Sequence, residues 1–65
     1  MKLVVNGEAL ETAEHTLSLL LSELDYEGEW LATAVNGELV HAEDRPTHVL
    51  QDGDRIEILS PMQGG

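Results

Sequence analysis

Asn-Gly occurs twice in this chain, at 6-7 in "KLVVNGEALE" and at 36-37 in "WLATAVNGELV", each time between two apolar runs. Both residues tolerate the positive φ that a two-residue type I′ turn requires, so each pair predicts a tight β-hairpin. A two-residue turn at Asn6-Gly7 sets Val5 opposite Glu8 and Leu3 opposite Leu10. Leu3 and Leu10 then share a face, taken as the core side. Between the hairpins lies one helical stripe: Leu17, Leu20, Leu21 and Leu24, at i, i+3, i+4 and i+7. Thr16 suits its N-cap, and Gly28 is read as its end.

The second hairpin opens with a strand expected over Trp30–Val35. The stretch "HAEDRPTHVL" reads as irregular, because Pro46 cannot donate to a ladder. "QDGD" is a turn. "RIEILS" alternates, with Ile56 and Ile58 inward and Arg55, Glu57 and Leu59 outward, and Pro61 ends that strand. The order strand, strand, helix, strand, short strand, strand leaves one packing that buries both stripes. It is an α+β domain with one mixed sheet of four to five strands on one helix, its other sheet face partly open. Residues 1–60 form that domain, and 61–65 are read as a flexible diglycine tail.

Sixty-five residues make one domain at most, burying only about 60% of the surface the unfolded chain exposes. Acidic residues outnumber basic ones 13 to 3, for a net charge of −10. Such a surface repels phosphate backbones, so nucleic acid is not an expected partner. It suits a chain that is a monomer on its own and that meets basic partners with charge-steered encounter. No apolar stretch approaches a membrane span, and "MKLVVN" is too short for a signal peptide. With no cysteine, a cytoplasmic location is expected.

Enzymatic constellations are absent from the pattern. The glycines sit in turns, not in a phosphate-cradling loop, and Ser18, Ser22 and Ser60 lie in no nucleophile elbow. His15, His41 and His48 lack metal spacing. Glu43-Asp44 and Asp52/Asp54 suit turn solvation better than acid–base work in a domain too thin for a pocket. What remains is the end, "SPMQGG". Residues 61–65 reach roughly 15 Å when extended. Gly64-Gly65, lacking side chains, can enter a channel too narrow for other residues and take any φ it imposes. The functional group at its tip is the α-carboxylate.

"LVVNGE", "AVNGELV", "QDGDRIEIL" and the closing "GG" together resemble the ThiS family, ubiquitin-like β-grasp sulfur carriers of thiamin thiazole biosynthesis. The resemblance covers the whole chain. It implies that Gly65 is adenylated by an E1-like (ThiF-like) enzyme using ATP and magnesium, with no cofactor or metal bound by this chain. It also implies that a persulfide supplied through a cysteine desulfurase converts the adenylate to a thiocarboxylate, and that a ThiG-like thiazole synthase takes the sulfur. Gln63 and Gly64 form the tail. Leu59 and Met62, the apolar residues nearest the exit, are candidates for seating it on a partner; exposed apolar residues that do nothing are equally common. Arg55 and Glu57 flank that face and are candidates for orienting the encounter. After "NGELV" this chain has "HAED" where many relatives carry a proline and a basic residue, a departure that bears on partner contact. Two other readings are the small sulfur-carrier subunit of molybdopterin synthase and a ubiquitin-like modifier conjugated to lysine. A third is a plain β-grasp binding module with an incidental tail.

Overall fold

The structure, a computed structural model, describes residues 1–26 and 30–60. Its elements are β1 (Lys2–Val5), β2 (Glu8–Glu11), α1 (Leu17–Glu23), β3 (Ala32–Val35), β4 (Glu38–Val40), a 3-10 helix (Ala42–Thr47) and β5 (Arg55–Leu59). The strands make one mixed sheet in the order β2-β1-β5-β3-β4, with β1 and β5 parallel and every other pair antiparallel.

Both Asn-Gly pairs form the turns their chemistry demands. Asn6 and Asn36 lie at φ 50° and 53°, and each is followed by a glycine at 85°. Val5 pairs with Glu8 and Leu3 with Leu10, as the turn length required. The register of the second hairpin is the same in kind: Val35 meets Glu38 and Ala34 meets Leu39.

The helix lays its leucine stripe on the sheet. Leu17 and Leu20 are wholly buried and Leu21 nearly so, against Leu3, Val35, Val40, Leu50, Ile56 and Ile58. Thr16 caps the helix, its hydroxyl accepting from the Leu19 amide at 3.3 Å. The end differs from expectation. Gly28 lies outside the described residues, and the helix has already stopped at Glu23. Asp25 takes the left-handed conformation (φ 63°), the Asp25 amide donates to the Ser22 carbonyl, and the Tyr26 amide to the Leu21 carbonyl. That is a Schellman stop built on aspartate instead of glycine. Half-buried Tyr26 then packs on the core.

Two further expectations shift. The strand before the second turn begins at Ala32, not Trp30, and the Trp30 side chain is 74% exposed. The segment after β4 is not irregular but a six-residue 3-10 helix that contains Pro46. It carries Arg45 inward. That guanidinium, 8% exposed, donates through Nε to Thr33 Oγ1 (3.0 Å) and through Nη2 to the Leu31 carbonyl (2.7 Å). Thr33, itself buried, donates its own hydroxyl hydrogen bond to the Val40 carbonyl at 2.8 Å. Arg45 thus ties the 3-10 helix to β3 and the residue before it, through neutral acceptors.

Candidate functional site

β5 is the strand that leads out of the domain, and its alternation decides what stands near the exit. Ile56 and Ile58 are buried under α1; Arg55, Glu57 and Leu59 face the other way. Leu59 is 70% exposed and pairs with Ala32. On β3, Thr33 and Val35 point into the core, which leaves Ala32 and Ala34 on the open face. Two alanines side by side make a hollow. Leu39 on β4, opposite Ala34, forms one rim, and Leu59 on β5, opposite Ala32, forms the other. The result is a shallow depression of about 480 Å³, bounded toward β1 by Val4, Arg55 and Glu57.

Of the residues singled out by sequence, the open face gathers Leu59, Arg55 and Glu57. Met62, Gln63, Gly64 and Gly65 lie outside the described residues. Leu39, Ala32 and Ala34 went unremarked. The signal for them was available: a type I′ turn at 36-37 forces Leu39 opposite Ala34 and onto the same face.

Asn6 also went beyond its expected role as a turn residue. Backbone pairing between β1 and β5 runs through Val4↔Arg55 and Val5↔Ile56, and the Asn6 amide then donates to the Ile56 carbonyl at 2.9 Å. There β1 turns away, while β5 continues. The Asn6 side chain takes over as the next rung: Oδ1 accepts from the Ile58 amide (2.8 Å), and Nδ2 donates to the Ile58 carbonyl (3.2 Å). Asn36 does related work at the opposite end of β5. Its Oδ1 accepts from the Arg55 amide (3.0 Å), and its Nδ2 donates to Asp54 Oδ1 (2.9 Å).

Two of the remaining polar candidates have structural partners. Asp52 accepts from the Lys2 amide, and Asp54 from the Gln51 amide, so this pair of acids shapes the turn before β5. Glu43 and Asp44 stand in the first turn of the 3-10 helix, with His41 and His48 at its two caps. Among the described residues, no three His, Asp or Glu side chains come close enough together to hold a metal ion. No helix among them is long and apolar enough to cross a membrane.

With this geometry in place, comparison with known proteins is decisive on family. A model of the ThiS family matches residues 3–65. The chain belongs to the ThiS family. Among its relatives, the Escherichia coli sulfur carrier protein ThiS is 33% identical over 66 aligned residues, spanning all of both chains. A thiazole synthase of Paramagnetospirillum magneticum is 36% identical over 66 aligned residues, covering all of this chain but only 20% of that longer protein. The crystal structure of a thiamine biosynthesis protein (ThiS) from Geobacter metallireducens superposes with a TM-score of 0.83 at 32% identity, over the full length of both chains. The mixed five-stranded sheet on one helix is therefore the β-grasp fold of ThiS.

Proposed function

We propose that this chain is the sulfur carrier of thiamin thiazole synthesis, and that it is itself a substrate of other enzymes. The observation that carries the reading is the ThiS-family match, which runs through residue 65 and so includes the Gly64-Gly65 pair. In this reading the Gly65 carboxylate attacks the α-phosphate of ATP in an E1-like enzyme, with magnesium held there, and pyrophosphate leaves. A carboxylate resists nucleophiles; the acyl-adenylate does not, because AMP is a good leaving group. The terminal sulfur of a persulfide, supplied through a cysteine desulfurase, then displaces AMP to give an acyl disulfide. A second thiol of a partner attacks the persulfide's cysteine sulfur, forms a disulfide with it and releases a Gly65 thiocarboxylate. Thiazole synthase removes that sulfur and returns the carboxylate. The partners supply the phosphate binding and the thiol chemistry, which agrees with a carrier that has no cysteine.

The open face fits the docking this requires. Leu39 and Leu59 rim the hollow over Ala32 and Ala34, directly beside the last rung of β5. Leu59 and Met62 are the residues proposed to seat residues 61–65 on a partner. That a thiazole synthase contains a stretch similar to this whole chain supports the synthase as one of those partners.

The test is incubation of the chain with a ThiF-like adenylating enzyme of proven activity, ATP, magnesium and a sulfur source. Intact-mass spectrometry should show one oxygen exchanged for sulfur, and removal of Gly65 should abolish the gain while leaving the circular-dichroism spectrum unchanged. No gain in the full chain, or an undiminished gain without Gly65, overturns the reading.

A further inference from the structure

We propose that Asn6 is the positioning residue for the sulfur-bearing end of the chain: its side-chain amide fixes the direction in which the polypeptide leaves β5. The consequence for sulfur loading rests on the functional reading above; the structural half stands on its own geometry.

Ile58 is the last residue of β5 with a hydrogen-bonding partner on the β1 side, and that partner is a side chain. Backbone pairing on this side ends at Val5↔Ile56, reinforced by the Asn6 amide on the Ile56 carbonyl. Two residues further on, both the amide and the carbonyl of Ile58 are held by the one carboxamide of Asn6. On the other side, Ala32 pairs with Leu59. The strand is thus gripped from both flanks at consecutive residues, immediately before Ser60.

The position makes two demands that few residues meet. The backbone must accept φ 50° as the first residue of a type I′ turn, which restricts it to Gly, Asn or Asp. The side chain must also offer one donor and one acceptor at peptide-like spacing, which among these three only asparagine does. Glycine would serve the turn alone. The carboxamide is therefore surplus to the hairpin and is spent on the strand that carries the terminus. A reacting group delivered from a stalk loses efficiency steeply when the stalk's root is misdirected.

Asn36 supplies an internal control. It has the same turn position, nearly the same φ and a side-chain grip on β5, but at Arg55, the end remote from the exit. Asn6→Gly and Asn36→Gly each keep the turn and each remove two side-chain hydrogen bonds. The bonds of Asn6 are part-buried and those of Asn36 exposed, so the two are compared at matched folded fraction, where a role in stability alone would make them equivalent in kcat/KM. Full-length Asn6→Gly is expected to speed Ile58 amide exchange about tenfold, the equivalent of one lost hydrogen bond. It should also drop the Leu59 and Ser60 backbone order parameters from about 0.85 toward 0.6. Sulfur loading by the adenylating enzyme, measured at matched folded fraction, should fall about tenfold in kcat/KM. Asn36→Gly should leave Ile58, Leu59, Ser60 and kcat/KM at wild-type values. Asn6→Asp, which keeps only the acceptor, should fall between wild type and Asn6→Gly in both readouts. Unchanged order and exchange at residues 58–60 in Asn6→Gly overturns the clamp. An altered exit with equal kcat/KM in the two glycine variants overturns its role in loading. If the wild-type chain takes up no sulfur, the functional reading has failed, and the exchange and relaxation data still decide the clamp.

Discussion

Replacing Arg45 with methionine should destabilise the domain by about 1–2 kcal/mol, and the sign of that change is the informative part. Arg45 is buried among neutral partners. Its two hydrogen bonds are charge-assisted, each contributing about 1.5–3 kcal/mol. Against this stands the desolvation of a guanidinium that no carboxylate among the described residues offsets, a cost of several kcal/mol. The ion pair formed among the described residues joins the N-terminus to Glu11, not Arg45. Methionine keeps the stem packing and removes the desolvation cost. Thr33 retains a partner, because its hydroxyl still donates to Val40. The Leu31 carbonyl does not, since Arg45 Nη2 supplied its bond, and an orphaned, partly buried carbonyl costs about 1–3 kcal/mol. A 65-residue chain has roughly 3–10 kcal/mol of stability in all. With a urea slope near 1 kcal/mol/M, the midpoint should therefore fall by about 1–2 M. Far-UV circular dichroism is the suitable signal, because exposed Trp30 changes environment little on unfolding. Arg45→Lys should lose nearly as much, since an ammonium on a flexible stem does not reproduce the fork that reaches both acceptors. A methionine variant as stable as wild type, or more stable, would show that desolvation dominates and that Arg45 does not anchor the start of β3.

Other outcomes separate scaffold from surface. Leu20→Ala empties a fully buried site and should cost about 2–5 kcal/mol, enough to leave much of the chain unfolded at 37 °C by circular dichroism. Leu59→Asp, at an exposed position, should move stability by no more than about 0.5 kcal/mol yet weaken binding to the adenylating enzyme in calorimetry; unchanged affinity would remove Leu59 from the interface. Gly37→Ala meets no atom within 4 Å, so its cost comes from the left-handed backbone alone, about 1–2 kcal/mol by denaturant titration. Association with a basic partner should slow as salt rises, because the net charge of −10 steers encounter and is screened; stopped-flow rates independent of ionic strength would exclude steering.

How much of this was legible in the residues depends on how local the determining interaction is. The two turns and their registers follow from Asn-Gly chemistry within four residues. The helix face follows from leucine spacing, and the inward isoleucines of β5 from alternation. One sheet on one helix then follows from the element order, whereas the β-grasp fold is what the ThiS-family resemblance implies, and the strand order β2-β1-β5-β3-β4 rests on long-range pairing that no local signal shows. The helix stop was misread because glycine is the usual left-handed residue, whereas here Asp25 takes that conformation three positions earlier. Arg45 was invisible because nothing in "HAEDRPTHVL" signals that its one cation turns inward; the acceptors that hold it belong to β3 and the residue before it. The Asn6 clamp depends on a partner 52 residues away, so sequence shows the turn and hides the grip. Of the candidate site, the open face with Leu59 was readable from β5 alone, but its hollow required the β3 alanines and the second hairpin's register together.

Sulfur transfer itself offers the most direct check on a carrier role. Chain loaded with radiolabelled sulfur at Gly65 is mixed with thiazole synthase and the remaining substrates of thiazole formation. Label appearing in the thiazole, with the carrier's mass returning to that of the free carboxylate, is the expected result. Label retained on the carrier, or released only as sulfide while thiazole forms from another source, contradicts it.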